Sequence, residues 1–200
     1  MSENKPVLII IAGPNGSGKT TITSKILKHE WVENCVYINP DQIALEKFGD
    51  WNSQEAVLSA AKYAEELREN CISEKKSLIF ETVFSAEDKI QFIEKAITEG
   101  YFVRFFFVST NHPSINASRI TSRVLQGGHD VPITKIINRY YKSILNCSFI
   151  APIVDRLYVY DNSLEFEEST LLFRASNGKI TKRYSQINDW AKPIFDSCTF

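Results

Sequence analysis

The chain has 200 residues, 44% apolar and 24% charged, which is the make-up of a globular chain long enough to bury one full core. Its formal net charge of −1 excludes a general polyanion binder. Four cysteines (Cys35, Cys71, Cys147 and Cys198) are scattered without a C-x-x-C pair. That spacing argues against a zinc site or a disulfide framework and for a reducing compartment. The opening MSENKPVLIIIAG holds an apolar run too short to span a membrane and lacks signal-peptide flanks. The expected location is the cytoplasm, with no membrane partner.

In chain order, VLIIIAG (7–13) reads as a first strand, followed by a helix over about 18–30. CVYIN (35–39) predicts a second strand and 41–48 a short helix. A long helix is expected over 53–74, its buried face carrying Val57, Ala60, Ala61, Ala64, Leu67 and Cys71. SLIFET (77–82) and FVRFFFVS (102–109) read as further strands around a helix at 86–99. The triple phenylalanine is expected to be central-strand core and not a base-stacking platform. Helices follow at 114–126 and 132–148, then the strand RLYVYDN (156–162). Near-continuous apolar strands alternating with helices predict an α/β fold: a mostly parallel sheet with helices on both sides. LLFRASNGKITKRY (171–184) departs from this pattern. Asn177-Gly178 between two extended runs predicts a hairpin added at a sheet edge, with a closing helix near 187–197. One domain over 1–200 is expected.

GPNGSGKT (13–20) satisfies G-x-x-x-x-G-K-[ST] between a strand and a helix, the context in which that loop cradles phosphates. Gly13, Gly16 and Gly18 allow close backbone approach, and the amides of 15–20 meet the anion at a helix N-terminus. Lys19 is expected on the β- and γ-phosphates and Thr20 on Mg²⁺. The phosphate's destination is not given by this loop. No apolar strand between the second and the fourth ends in Asp, and no N-K-x-D segment occurs, which counts against a motor ATPase or a switch GTPase. Two acids fall at strand ends, Asp41 and Glu81. Asp41 could take the proton of an attacking hydroxyl, and it is also placed as a helix N-cap; the two roles are compatible. Glu81 could face Mg²⁺-bound water or a sugar hydroxyl.

From Arg104 to Lys142 six basic residues stand against one acid, Asp130. Arg119 and Arg123 share a helix face, QGGHDVP (126–132) follows, and Arg139 lies in the next helix. Two arginine-bearing helices around a Gly-Gly turn suggest a lid over phosphates, about 119–142. His129 is more simply read as local turn structure.

These segments together resemble the zeta toxin-like P-loop kinases. The resemblance rests on AGPNGSGKTT (12–21), INPDQIA (38–44), FETVFS (80–85) and RVLQGGHDVP (123–132) running into INRYYKSILN (137–146). It covers roughly residues 7–150 and leaves the last fifty without a known motif. It implies a three-layer kinase-type P-loop fold and transfer of the ATP γ-phosphate to a small-molecule hydroxyl. In the characterised toxins of that family the acceptor is the amino-sugar hydroxyl of UDP-N-acetylglucosamine. ATP would be held by Gly13, Pro14, Asn15, Gly16, Ser17, Gly18, Lys19, Thr20 and Thr21, with Arg119, and Mg²⁺ by Thr20. Asp41, Lys19, Arg123 and Arg139 would be catalytic; Asp41, Glu81 and Thr82 would face the acceptor. A small antitoxin protein is an implied partner, and nucleic acid is not expected. Val83 stands where the family often has a second threonine, which puts the sugar-nucleotide acceptor in question. A nucleoside or polynucleotide 5′-hydroxyl kinase and a non-catalytic nucleotide-binding module are the alternatives.

Overall fold

The computed structural model describes residues 5–49, 53–125 and 131–199. Its sheet contains β1 (Val7–Ala12), β2 (Val36–Ile38), β3 (Leu78–Thr82), β4 (Phe102–Ser109), β5 (Arg156–Asp161), β6 (Thr170–Ser176) and β7 (Lys179–Arg183). The order is β2-β3-β1-β4-β5-β6-β7. The first five strands run parallel, and β6 and β7 are antiparallel additions beside β5. Each predicted strand is present. The expected hairpin turn is made by Asn177 and Gly178, both at positive φ (48° and 73°), the geometry that matches strand twist.

Between the strands lie α1 (Lys19–Ile26), α2 (Pro40–Phe48), α3 (Gln54–Ser73), α4 (Asp88–Thr98), α5 (Pro113–Val124), α6 (Ile133–Ile150) and α7 (Lys192–Asp196). The central strand shows why the sheet needs cover on both sides. Leu8, Ile10 and Ala12 enter one apolar cluster, with Ala64 of α3, Ile93 of α4 and Ile144 of α6. Ile9 and Ile11 enter a second, with Ile22 and Ile26 of α1. Side chains alternate across a strand, so an unbroken apolar run fills two cores. The three phenylalanines divide the same way. Phe105 and Phe107 join the first cluster, and Phe106 joins the second, where it stacks on Tyr158 with ring centroids 4.6 Å apart.

Four local expectations are corrected. The first helix stops at Ile26, and the chain then makes a 3₁₀ turn at Glu30–Val32 before β2. In α3 the buried row is Ala56, Ala60, Ala64, Arg68 and Cys71, with Ala61 exposed. The i,i+4 alanines let α3 approach closely, and Arg68 lies with its guanidinium 5.2 Å and 5.7 Å from the Phe80 and Phe92 rings. Asp41 is not the N-cap of α2. Asn39 is, its side chain accepting from the Asp41 and Gln42 amides, with Pro40 in the first turn. The closing helix over 187–197 is a 3₁₀ turn (Asp189–Ala191) followed by the single turn of α7. Pro193 tolerates only a helix start, so the helix begins there.

Phe105 is fully buried and meets Phe84 edge-on, with centroids 4.9 Å apart. Phe105→Ala should lower unfolding free energy by about 3–5 kcal/mol, read as a shift in urea midpoint at unchanged slope.

Candidate active site

The loop after β1 leaves the carboxyl end of the central strand, where open α/β sheets hold ligands. All three of its glycines are forced by contact, Gly16 by the Asn116 carbonyl oxygen, 2.7 Å from where its Cβ would lie. A Cβ on Gly13 would lie 2.0 Å from the Val108 carbonyl oxygen of β4, and one on Gly18 2.1 Å from the Asn162 side-chain nitrogen. Both have positive φ, 150° and 92°. The loop passes directly into α1, so its amides open at a helix N-terminus.

Lys19 folds back onto this loop. Its Nζ donates to the carbonyls of Gly13 (2.9 Å) and Pro14 (3.1 Å). Burial pushes its pKa down to about 8; Glu81 and Asp41 pull it back up, and Arg123 and Arg139 push it further down. Four predicted site residues from four separate segments therefore act on one ammonium. Thr20 and Thr21 are exposed on the first turn of α1. With Gly16, Gly18, Lys19 and Arg123 they line a cavity of about 290 Å³.

The acids lie on the β2–β3 side. Glu81 is level with Ile11 of β1 and accepts from the Tyr37 hydroxyl at 2.8 Å, while Asn39 donates to that same hydroxyl at 3.0 Å. Burial, then the charge of Glu81, holds the Tyr37 phenol protonated well above its ordinary range, so it remains a donor. Asp41 is exposed at the start of α2. Because Asn39 supplies the cap, the Asp41 carboxylate is not committed to the helix end. Thr82 lies beside Ala12, its carbonyl accepting from the Gly13 amide (3.2 Å) and its hydroxyl from the Phe84 amide (3.1 Å). The latter bond closes a turn in which Phe84 takes φ 61°, a conformation held by its burial and by Asn146, which donates to its carbonyl.

The arginines separate into two settings. Arg139 of α6 donates to the Asn15 side chain at 3.2 Å and so touches the loop itself. Arg123 of α5 is exposed and borders both the loop cavity and a larger cleft of about 600 Å³. Arg119 is tied to the carbonyls of Asn162 (2.8 Å) and Leu164 (3.2 Å) and lines that cleft, with Ile115, Ser118, Ser163 and Glu165. The segment 126–130, which includes His129 and the Gly-Gly turn, lies outside the described residues.

Two site residues escaped the sequence reading. Asn116 is fully buried, donates to the Asn15 carbonyl at 2.6 Å and is held by Thr110. Asn162 donates to the Ser17 carbonyl at 2.8 Å. A polar side chain inside the amphipathic pattern of α5 was a signal for the first. For Asn162 there was none, because its partner lies 145 positions away.

A family model described as Zeta toxin matches residues 1–167. The chain belongs to the zeta toxin family. An uncharacterised protein of Haemophilus influenzae is 30% identical to it over 132 residues, which cover 66% of this chain and 91% of that one. Among solved structures, one from the PezAT chromosomal toxin–antitoxin system of Streptococcus pneumoniae aligns with TM-score 0.65 at 17% identity, covering 97% of this chain and 80% of that one. The AvrRxo1-ORF1:ORF2 complex with ATP aligns at TM-score 0.68 and 16% identity, over 98% of this chain and 64% of that one. A putative kinase from Chloroflexus aurantiacus gives 0.52 at 19%, over 68% and 77%. These likenesses carry the mixed α/β, kinase-type P-loop fold to the zeta-family chain. Among the described residues no helix is long and apolar enough to cross a membrane.

Lys19 gives a pH signature. With a pKa of about 8 in the free protein, it is charged at pH 7 and largely neutral at pH 9. Bound polyphosphate favours the charged form, so binding above pH 8 must include proton uptake. Affinity for a fluorescent ATP analogue should fall by up to tenfold per pH unit between 8 and 9, and Lys19→Met should bind weakly with a flattened dependence.

Proposed function

We propose that this zeta-family chain transfers the γ-phosphate of ATP to a hydroxyl of a small molecule. The supporting observation is that Arg123 of α5 lines the loop cavity together with Lys19, while Arg139 of α6 bonds Asn15 of the same loop.

In this reading the loop 13–20 holds the phosphates, and the cleft along Arg119 takes the base and ribose. Asp41 accepts the proton of the acceptor hydroxyl as its oxygen bonds to the γ-phosphorus; the bond to the bridging oxygen breaks and ADP leaves. Lys19, Arg123 and Arg139 stabilise charge on the phosphoryl oxygens, and Glu81, fixed by Tyr37, orients the acceptor with Thr82. α5 and α6 serve as the lid of a single catalytic unit, excluding water that would compete with the acceptor.

Thr20 would hold Mg²⁺, which supplies charge neutralisation on the phosphates. Thr20 borders the loop cavity, and its hydroxyl is a hard oxygen donor of the kind Mg²⁺ takes. That donor suits an ion held mostly by phosphate and water oxygens.

The proposed acceptor is a sugar nucleotide, with UDP-N-acetylglucosamine tested first. A small antitoxin protein is the proposed partner. An exposed apolar row on α6 (Ile133, Ile137, Tyr141, Leu145 and Phe149) supports a protein partner.

Incubation with γ-labelled ATP and a panel of sugar nucleotides, nucleosides and oligonucleotides should label one acceptor class. Asp41→Asn should reduce that transfer at least a hundredfold while nucleotide binding survives, and Lys19→Ala should weaken both. Full transfer by Asp41→Asn would remove the base assignment; hydrolysis with no labelled acceptor in any class would remove the kinase reading.

A further inference from the structure

The family match ends at residue 167, yet side chains beyond it bond Asp161, whose chain neighbour Asn162 lies against the phosphate loop. We infer that Asn188 and Trp190, through Asp161, position Asn162 against that loop, so that the C-terminal segment sets the geometry of the nucleotide site.

Asp161 ends β5 and gathers four donors. Its Oδ1 accepts from the Ser163 amide (3.0 Å). Its Oδ2 accepts from the Ser163 hydroxyl (2.9 Å), the Asn188 side chain (2.9 Å) and the Trp190 indole N–H (2.8 Å). Hydrogen bonds to an ionised carboxylate are stronger than neutral ones, and three converge on a single oxygen. The next residue is fixed on three sides. The Asn162 amide donates to the Ser109 carbonyl (2.8 Å), its carbonyl accepts from Arg119 (2.8 Å), and its side chain donates to the Ser17 carbonyl (2.8 Å). Asn162 also fills the space that a side chain at Gly18 would need.

The far end is anchored as firmly. Trp190 is buried, its ring 6.1 Å from that of Phe107. The tail returns to the hairpin, where the Ile180 amide donates to the Thr199 carbonyl and the Thr199 amide to the Gly178 carbonyl, both at 2.7 Å. The corner after β5 has no regular structure between 162 and 169 to hold it. Its orientation is set by the C-terminal donors to Asp161 together with Ser109, Arg119 and the Asn111 amide, which donates to the Ser163 hydroxyl at 2.7 Å. Asp161, Asn188 and Trp190 touch no substrate in this scheme; they are positioning residues. The geometry stands alone, and only its consequence for ATP rests on the function proposed above.

Two readouts test this on the full chain. The first is amide hydrogen exchange of the nucleotide-free protein. In Asn188→Ala and Trp190→Phe, exchange across 16–20 should accelerate about tenfold while 7–12 keeps its protection. The second is affinity for a fluorescent ATP analogue, which should weaken about tenfold in the same variants and in Asn162→Ala. If transfer is measured, KM for ATP should rise with kcat within twofold of the parent. Asp161→Asn should behave like the single variants. Unchanged exchange at 16–20 and unchanged affinity in Asn188→Ala and Asn162→Ala, whatever happens to thermal stability, would overturn the inference and leave a purely structural clamp. Should Trp190→Phe not fold, those two variants still decide. Should the parent protein fail to bind ATP, the exchange arm decides alone, and the failure belongs to the functional reading.

Discussion

The carboxyl edge of this sheet is organised by how closely the loop after β1 approaches its neighbours. Gly13 lies against the backbone of β4 and Gly18 against the side chain of Asn162, with no room for a Cβ at either position. Asn116 from α5 and Arg139 from α6 reach the same loop at Asn15. A backbone cradle binds an anion well only if its amides already point inward, because reorienting them on binding would cost the energy gained. Contacts from β4, α5, α6 and the corner after β5 supply that pre-organisation before any ligand arrives.

Electrostatics at Lys19 follow from the same packing. Placing the ammonium against the loop desolvates it and lowers its pKa towards the physiological range. The acids on one side and the arginines on the other then act in opposite senses through a medium that screens poorly. A triphosphate would tip that balance, since its negative charge restores the proton on Lys19 and offsets the arginines.

The two ends of the chain are also more interdependent than their motifs suggest. The hairpin extends the sheet, the tail runs back from it, and Trp190 closes on the strand end beside the phosphate loop. An edge addition with no motif of its own can thus bear on the site through three hydrogen-bonded steps. Membership in the zeta toxin family rests on residues 1–167, and this connection lies partly outside that span.

Local sequence sufficed wherever the physics is local. Unbroken apolar runs specified buried parallel strands, Asn177-Gly178 specified the hairpin, and the glycine spacing of 13–20 specified the loop, since periodicity and turn chemistry act over a few residues. Local reading failed where two neighbours compete for one role. Asn39 and Asp41 are both good caps, and only the assembled helix shows that Asn39 takes the position, leaving the Asp41 carboxylate uncommitted to the helix end. In the long helix, small residues at several registers pointed to a face that included Ala61, whereas the packed row runs through Ala56 and Arg68, which lies over two phenylalanine rings. Tertiary structure alone joined Asn116 to Asn15, Tyr37 to Glu81 and Asn162 to Ser17. Partners 44 to 145 positions apart meet only when sheet order brings their strand ends together, and no pattern along a single chain encodes that order.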